Sequence, residues 1–196
     1  MRRQDRPHAG PLRRVLLPCI SLFVVFLWSG CAAPGPAVTA GAASPLTSRD
    51  GALLYRCPAG WFDVTSDTLA ADCAVWLVRG DYAGTLTVRQ VHMQAVASGD
   101  LGGEGLLQVA RLTAALETSS KPAVLARGPE RVDVNGRGAV SYDVEYSGSG
   151  DRTRTVLLVS GGRVYAVTAL VNGTAPQEAG REIFASLQSF CAALRY

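Results

Sequence analysis

Residues 130–171 constrain the fold more than any other part of the chain. They hold four stretches of strand composition: Glu130–Asn135, Ala139–Tyr146, Thr153–Ser160 and Arg163–Val171. Asn135-Gly136 and Gly161-Gly162 supply tight-turn signals between them. Such pairs suit the left-handed backbone of two-residue hairpins. Hairpins join antiparallel neighbours, so this stretch predicts an antiparallel sheet.

The same pattern extends toward the N-terminus. Ala52–Arg56, Ala74–Val78 and Leu86–Ala95 read as further strands. In the last, the apolar parity slips between Val88 and Val91, which predicts a bulge near Arg89-Gln90. Ser66–Asp72 reads as a single helical turn. Two segments have helical spacing. In Gly103–Leu116, the residues Leu106, Val109, Ala110 and Leu116 share a side that only Thr113 interrupts. Near the C-terminus Ile183, Leu187, Phe190 and Leu194 recur every three to four residues. Both stripes belong on a sheet. Thr174 is placed to cap the second helix, with Pro176 in its first turn and Gln177 completing a capping box. The predicted class is therefore α+β, an antiparallel β-sheet with helices packed on it.

The first fifty residues are of another kind. Residues 1–31 carry five Arg and one Asp, a net charge of +4, whereas the whole chain is +3. Residues 32–196 are then −1 (3 − 4), so the basicity belongs to the leader and nucleic acid is not an expected partner. Val15–Trp28 is an apolar run of 14 residues. That is shorter than the roughly 20 needed to span a bilayer and suits a signal peptide. Ser29-Gly30-Cys31 follows as a bacterial lipoprotein signal does. Its lipobox is imperfect, with Trp28 where Leu is usual; an ordinary secretory signal cut nearby is the competing reading. The expected layout is a signal over 1–30, a tether over 31–50 beginning at lipidated Cys31, and a folded domain over 51–196. Residues 32–50 are mostly Ala, Pro, Gly, Ser and Thr, too poor in large apolar side chains to fold alone. Ala32 lacks the aspartate of a retention signal, which favours the outer membrane where a cell has one.

Of five cysteines, Cys19 leaves with the leader and Cys31 takes lipid, leaving Cys57, Cys73 and Cys191. An exported domain is exposed to oxidation, so one disulfide is expected. Cys57 with Cys73 is the easier pair, and Cys191 is the alternative partner of either. Closing that loop would contribute roughly 3 kcal/mol in a chain-entropy account. His92 is the only histidine beyond the leader and no Cys-x-x-Cys occurs, so neither a metal nor another cofactor is expected.

The order of elements, with Tyr55-Arg56-Cys57-Pro58-Ala59-Gly60-Trp61 at the start, resembles the PsbP-like group. Asn135-Gly136-Arg137-Gly138 in the centre agrees. So do Arg163-Val164-Tyr165-Ala166-Val167 and Ser186-Leu187-Gln188-Ser189-Phe190 at the end. That group includes photosystem II subunit P, nuclear import factors that bind the GTPase Ran, and bacterial DcrB-like lipoproteins. The resemblance covers about 51–191 and implies an antiparallel sheet sandwiched by helices, with a non-catalytic accessory or binding role. It carries no metal-binding or GTPase-binding residue across, and the three cysteines are not part of the pattern.

Single residues add little chemistry. His92 shares a strand face with Gln90 and Gln94 and reads as solvated. Asp143 and Glu145 share a face. With a four-residue loop at 147–150 they would lie opposite Arg154 and Arg152, giving cross-strand ion pairs on a wet face rather than a carboxylate pair for catalysis. Gly102-Gly103 reads as a flexible lead into the helix. Trp76, inside an unbroken apolar run, is expected in the core. Trp61, after a turn, is the first choice for an aromatic facing a ligand or partner. The expectation is a membrane-anchored envelope lipoprotein engaging another envelope component. The alternatives are a small-molecule carrier or sensor with a cleft near Trp61, and, less favoured, an enzyme.

Overall fold

The computed structural model describes residues 44–92 and 103–195. Cys31, the leader, most of the tether, Met93–Ala95 and Gly102 lie outside them. β1 (Leu46–Thr47) and β2 (Leu54–Tyr55) form a two-stranded ribbon. The main sheet contains β3 (Trp61–Asp63), β4 (Val75–Arg79), β5 (Gly84–Val91), β6 (Ala123–Val134), β7 (Arg137–Tyr146), β8 (Arg152–Ser160) and β9 (Arg163–Val171). Its seven strands run in the order β3-β4-β5-β9-β8-β7-β6, with every neighbour antiparallel. Helix α1 (Glu104–Ser120) precedes β6, and α2 (Gln177–Ala193) follows β9.

Alternation along the strands makes two cores. Val156 and Leu158 pack with α2, while the intervening Leu157 packs with α1. Ile183, Leu187, Phe190 and Leu194 are at most 3% exposed, so the predicted stripe is the one α2 buries. Gly84 lets α2 come this close. A Cβ there would stand 2.3 Å from the Leu170 carbonyl oxygen and 2.7 Å from Ile183 Cδ1. The predicted turns form as expected: φ is 55° and 77° at Asn135 and Gly136, and 54° and 73° at Gly161 and Gly162.

Several expectations change. The fold begins before residue 51: Ser48 is buried, and the Tyr165 hydroxyl donates to Asp50 at 2.9 Å. β5 pairs with β9 through Val91 without interruption, so there is no bulge at Arg89-Gln90. The register shifts lie in β6 instead, between Leu125 and Arg127 and between Arg127 and Glu130. This strand also starts seven residues before the predicted Glu130. Its Arg-Gly-Pro interior hid it, and bulges with a proline suit a sheet edge. Leu116 is 68% exposed and leaves the α1 stripe; Ala114 takes its place. Thr174 does not cap α2. Its N–H and hydroxyl both donate to Asn172 Oδ1, and Pro176 stands at the N-cap.

Candidate functional site

The two faces of the sheet are covered unequally. α1 packs on β6, β7 and β8. The face that it covers continues beyond it along two cross-strand rows. One runs Val144, Thr153, Leu170, Thr85, Val78 and Phe62. The other runs Tyr142, Thr155, Thr168, Thr87 and Trp76. In each, the members near α1 are buried. Leu170, Thr85, Val78, Phe62, Thr168, Thr87 and Trp76 are all partly exposed. This open half-face, with two aromatic rings among aliphatic and threonine side chains, is the candidate interaction site.

The two tryptophans therefore exchange the roles predicted for them. Trp61 is 5% exposed and packs in the α2-side core with Leu53 and Tyr55. It is not available to a ligand or partner. Trp76 points to the open face, because alternation sends Val75 and Leu77 into the α2-side core. An unbroken apolar run suggests a strand buried on both faces. Here one of those faces has no helix over it among the described residues.

The cysteines stand apart. Cys57, Cys73 and Cys191 are free thiols, so neither Cys57–Cys73 nor a bridge to Cys191 forms. The Cys57 thiol donates to the Trp61 carbonyl at 3.2 Å, and Trp61 lies opposite Arg79 at the far end of β4. Cys73 stands just before the near end of β4, its thiol 3.6 Å from Asp72 Oδ1. Burial pushes the Cys57 thiol up to about 11 and the Cys191 thiol up to about 12. All three are poor nucleophiles at neutral pH.

The predicted register of Asp143 opposite Arg154 and Glu145 opposite Arg152 is observed. Glu145 is exposed on that face as expected, whereas Asp143 is half-buried against α2. Arg154 Nε and Nη2 each donate to Asp143 at 2.8 Å, and the guanidinium lies 4.4 Å from the Phe184 ring centre on α2. Arg127 Nη2 adds a third bond to Asp143 at 3.2 Å, and its Nη1 meets Glu130 at 2.8 Å. Hydrogen bonding to Asp143 raises the Arg154 pKa. The cluster borders a cleft of about 120 Å³. Its carboxylate is fully engaged by two guanidiniums, which suits holding β6, β7, β8 and α2 together better than proton transfer.

On the opposite side, Glu117 of α1 accepts from the hydroxyls of Tyr146, Tyr142 at 3.2 Å and Thr153 at 3.3 Å. Burial, with the Glu117 charge, raises Tyr142 to about 12. His92 is exposed beside Arg89 and Cys73, away from both clusters. Among the described residues, no three His, Cys, Asp or Glu side chains group as a metal site. Sequence reasoning missed Arg127, because its strand was not recognised, and missed Glu117, because a lone acidic residue on a helix carries no pattern.

No protein-family model and no curated protein matches the chain. Solved structures do. The cyanobacterial PsbP (CyanoP) of Synechocystis sp. PCC 6803 superposes with a TM-score of 0.53 at 12% identity, covering 82% of this chain and 99% of its own. The fold is PsbP-like. The Ran-binding protein Mog1p of Saccharomyces cerevisiae gives 0.52 at 11% identity, covering 78% and 94%. At such identities the likeness is one of fold alone. It reaches the PsbP-like fold without singling out the DcrB-like group. In this chain the sequence motifs fall at joints between elements or within them: Pro58–Trp61 leads into β3, Asn135–Gly138 spans the β6–β7 turn, Arg163–Val167 opens β9, and Ser186–Phe190 lies in α2.

Proposed function

We propose that this protein is a lipoprotein of the bacterial cell envelope, exported by its leader and held at a membrane through lipid on Cys31. Its PsbP-like domain is a non-catalytic binding or accessory module, not an enzyme, that engages another envelope protein. Where the cell has an outer membrane, that membrane holds it. The observation that carries the reading is the open half-face around Trp76, Phe62, Val78 and Leu170, in a domain whose Asp143 carboxylate is already engaged by Arg154 and Arg127. Aromatic and aliphatic side chains half-open to water are the composition of a protein-binding patch. A Ran-binding protein with this fold supports protein recognition as a use of it. The carrier reading rested on Trp61 and loses its aromatic to the core.

The test is crosslinking in intact cells followed by mass spectrometry, comparing wild type with Cys31→Ser. The expected result is a discrete partner captured by wild type and lost from the variant, with diacylglycerol on Cys31 in the intact mass. No specific partner in either strain, or an unmodified Cys31 in the wild type, contradicts it.

A further inference from the structure

The anchor proposed above acquires a second contact where the chain joins the fold. Residues 46–56 form a small platform with the C-terminus. Leu46 pairs with Tyr55 and Thr47 with Leu54. Leu54 exchanges both backbone hydrogen bonds with Arg195, at 2.8 and 3.0 Å. Side chains directly opposite in an antiparallel pair share a side, and those two residues apart do as well. Thr47, Leu54, Arg56 and Arg195 therefore face outward together, while Tyr55 turns into the core at 3% exposure. Leu54 is 42% exposed, and Thr47, Arg56 and Arg195 are exposed. No acidic side chain belongs to this outward set, and neither arginine forms an ion pair among the described residues. Pro45, Leu54, Arg56, Ala193 and Arg195 border a dimple of about 100 Å³, room for one phosphate group but not for a whole lipid.

We propose that this platform docks on the anionic phospholipid headgroups of the membrane that holds Cys31. Two observations on the chain choose that occupant. Thirteen residues lie between Cys31 and Pro45, which keeps the platform within about 50 Å of the anchor even when fully extended. The platform is thus the part of the described fold that stands first along the chain after the anchor. Its chemistry is also complementary: two guanidiniums without an ion-pair partner among the described residues flank an exposed leucine, as in surfaces that pair with lipid phosphates and bury an aliphatic side chain at the interface. The domain is then oriented by two points, lipid and platform, which turns the open half-face toward a partner in a fixed direction. This inference rests on the anchor reading, and the experiment separates the two.

Mature protein made from the full chain is reconstituted into phosphatidylcholine vesicles with and without phosphatidylglycerol. Hydrogen–deuterium exchange is followed over 52–57 and 193–196, and the intact mass reports the lipid. Each arginine near an anionic surface shifts docking about fivefold, so exchange is expected to slow on the order of tenfold or more on the anionic vesicles. Arg56→Gln/Arg195→Gln removes that slowing without lowering the melting temperature, and 0.5 M salt, which shortens the Debye length to about 4 Å, removes it from the wild type. Lipidated protein whose platform exchanges equally on both vesicles overturns the docking alone. So does slowing that the double variant retains. Protein with unmodified Cys31 overturns the anchor and the docking with it.

Discussion

The two faces of the sheet carry the same strands and differ in what covers them. On the α2 side, Val75, Leu77, Leu86, Val88, Tyr165, Val167 and Ala169 are all within 1% of complete burial. On the α1 side Val140, Tyr142, Val144, Leu157 and Val164 are buried, and toward β3 the cross-strand rows become partly exposed. The open half is built differently. It holds Thr85, Thr87 and Thr168 where the same strands turn Leu86, Val88, Val167 and Ala169 to the α2 side, and the Thr155 and Thr168 hydroxyls pair at 2.9 Å. Threonine keeps the β-branched shape that strands favour while tolerating water. Trp76, Phe62, Val78 and Leu170 are the apolar residues that this face keeps, and they are the ones on which the proposed binding surface rests.

Paired substitutions break that comparison most sharply. Trp61→Ala empties a closed core and is expected to cost about 3–5 kcal/mol in urea unfolding. Trp76→Ala on the open face is expected to cost no more than about 1.5 kcal/mol. Equal losses would mean that both tryptophans are buried. A smaller effect sharpens the α1 half. Glu117→Gln weakens the bonds from Tyr142, Tyr146 and Thr153 and is expected to cost about 1–3 kcal/mol. Ultraviolet titration of the same variant should bring Tyr142 down from about 12 while leaving it above its usual value, because burial persists. The smallest effect tests how the N-terminal segment is tied to the α2 side. Burial opposes the ionised form of Asp50, but hydrogen bonds from Ser48, Ala52 and Tyr165 outweigh it and hold its pKa below the usual carboxylate value. A depressed pKa gives stability that is present above about pH 4 and lost as pH falls through the folded value. Asp50→Asn should therefore flatten the acid limb of the stability curve. An unchanged limb would show that Asp50 is not held.

Regular repetition was legible in the sequence and neighbourhood was not. The 135–136 and 161–162 turns, the α2 stripe and the register of Asp143 opposite Arg154 all follow from local spacing. β6 was half hidden because Arg127-Gly128-Pro129 interrupts its pattern, and with it went the arginine that completes the Asp143 cluster. Which tryptophan is buried depends on which face receives a helix, a matter of topology that the composition of Ala74–Val78 does not encode. Cys57 and Cys73 looked close along the chain, yet β4 holds them toward opposite ends.

The most direct test of the open face places a photo-crosslinking amino acid at Thr87, beside Trp76, and separately at Arg111 on the outer side of α1, in the anchored protein in intact cells. The account predicts a discrete adduct from Thr87, absent from Arg111 and weakened by Trp76→Ala. An adduct from Arg111 with none from Thr87 would contradict it.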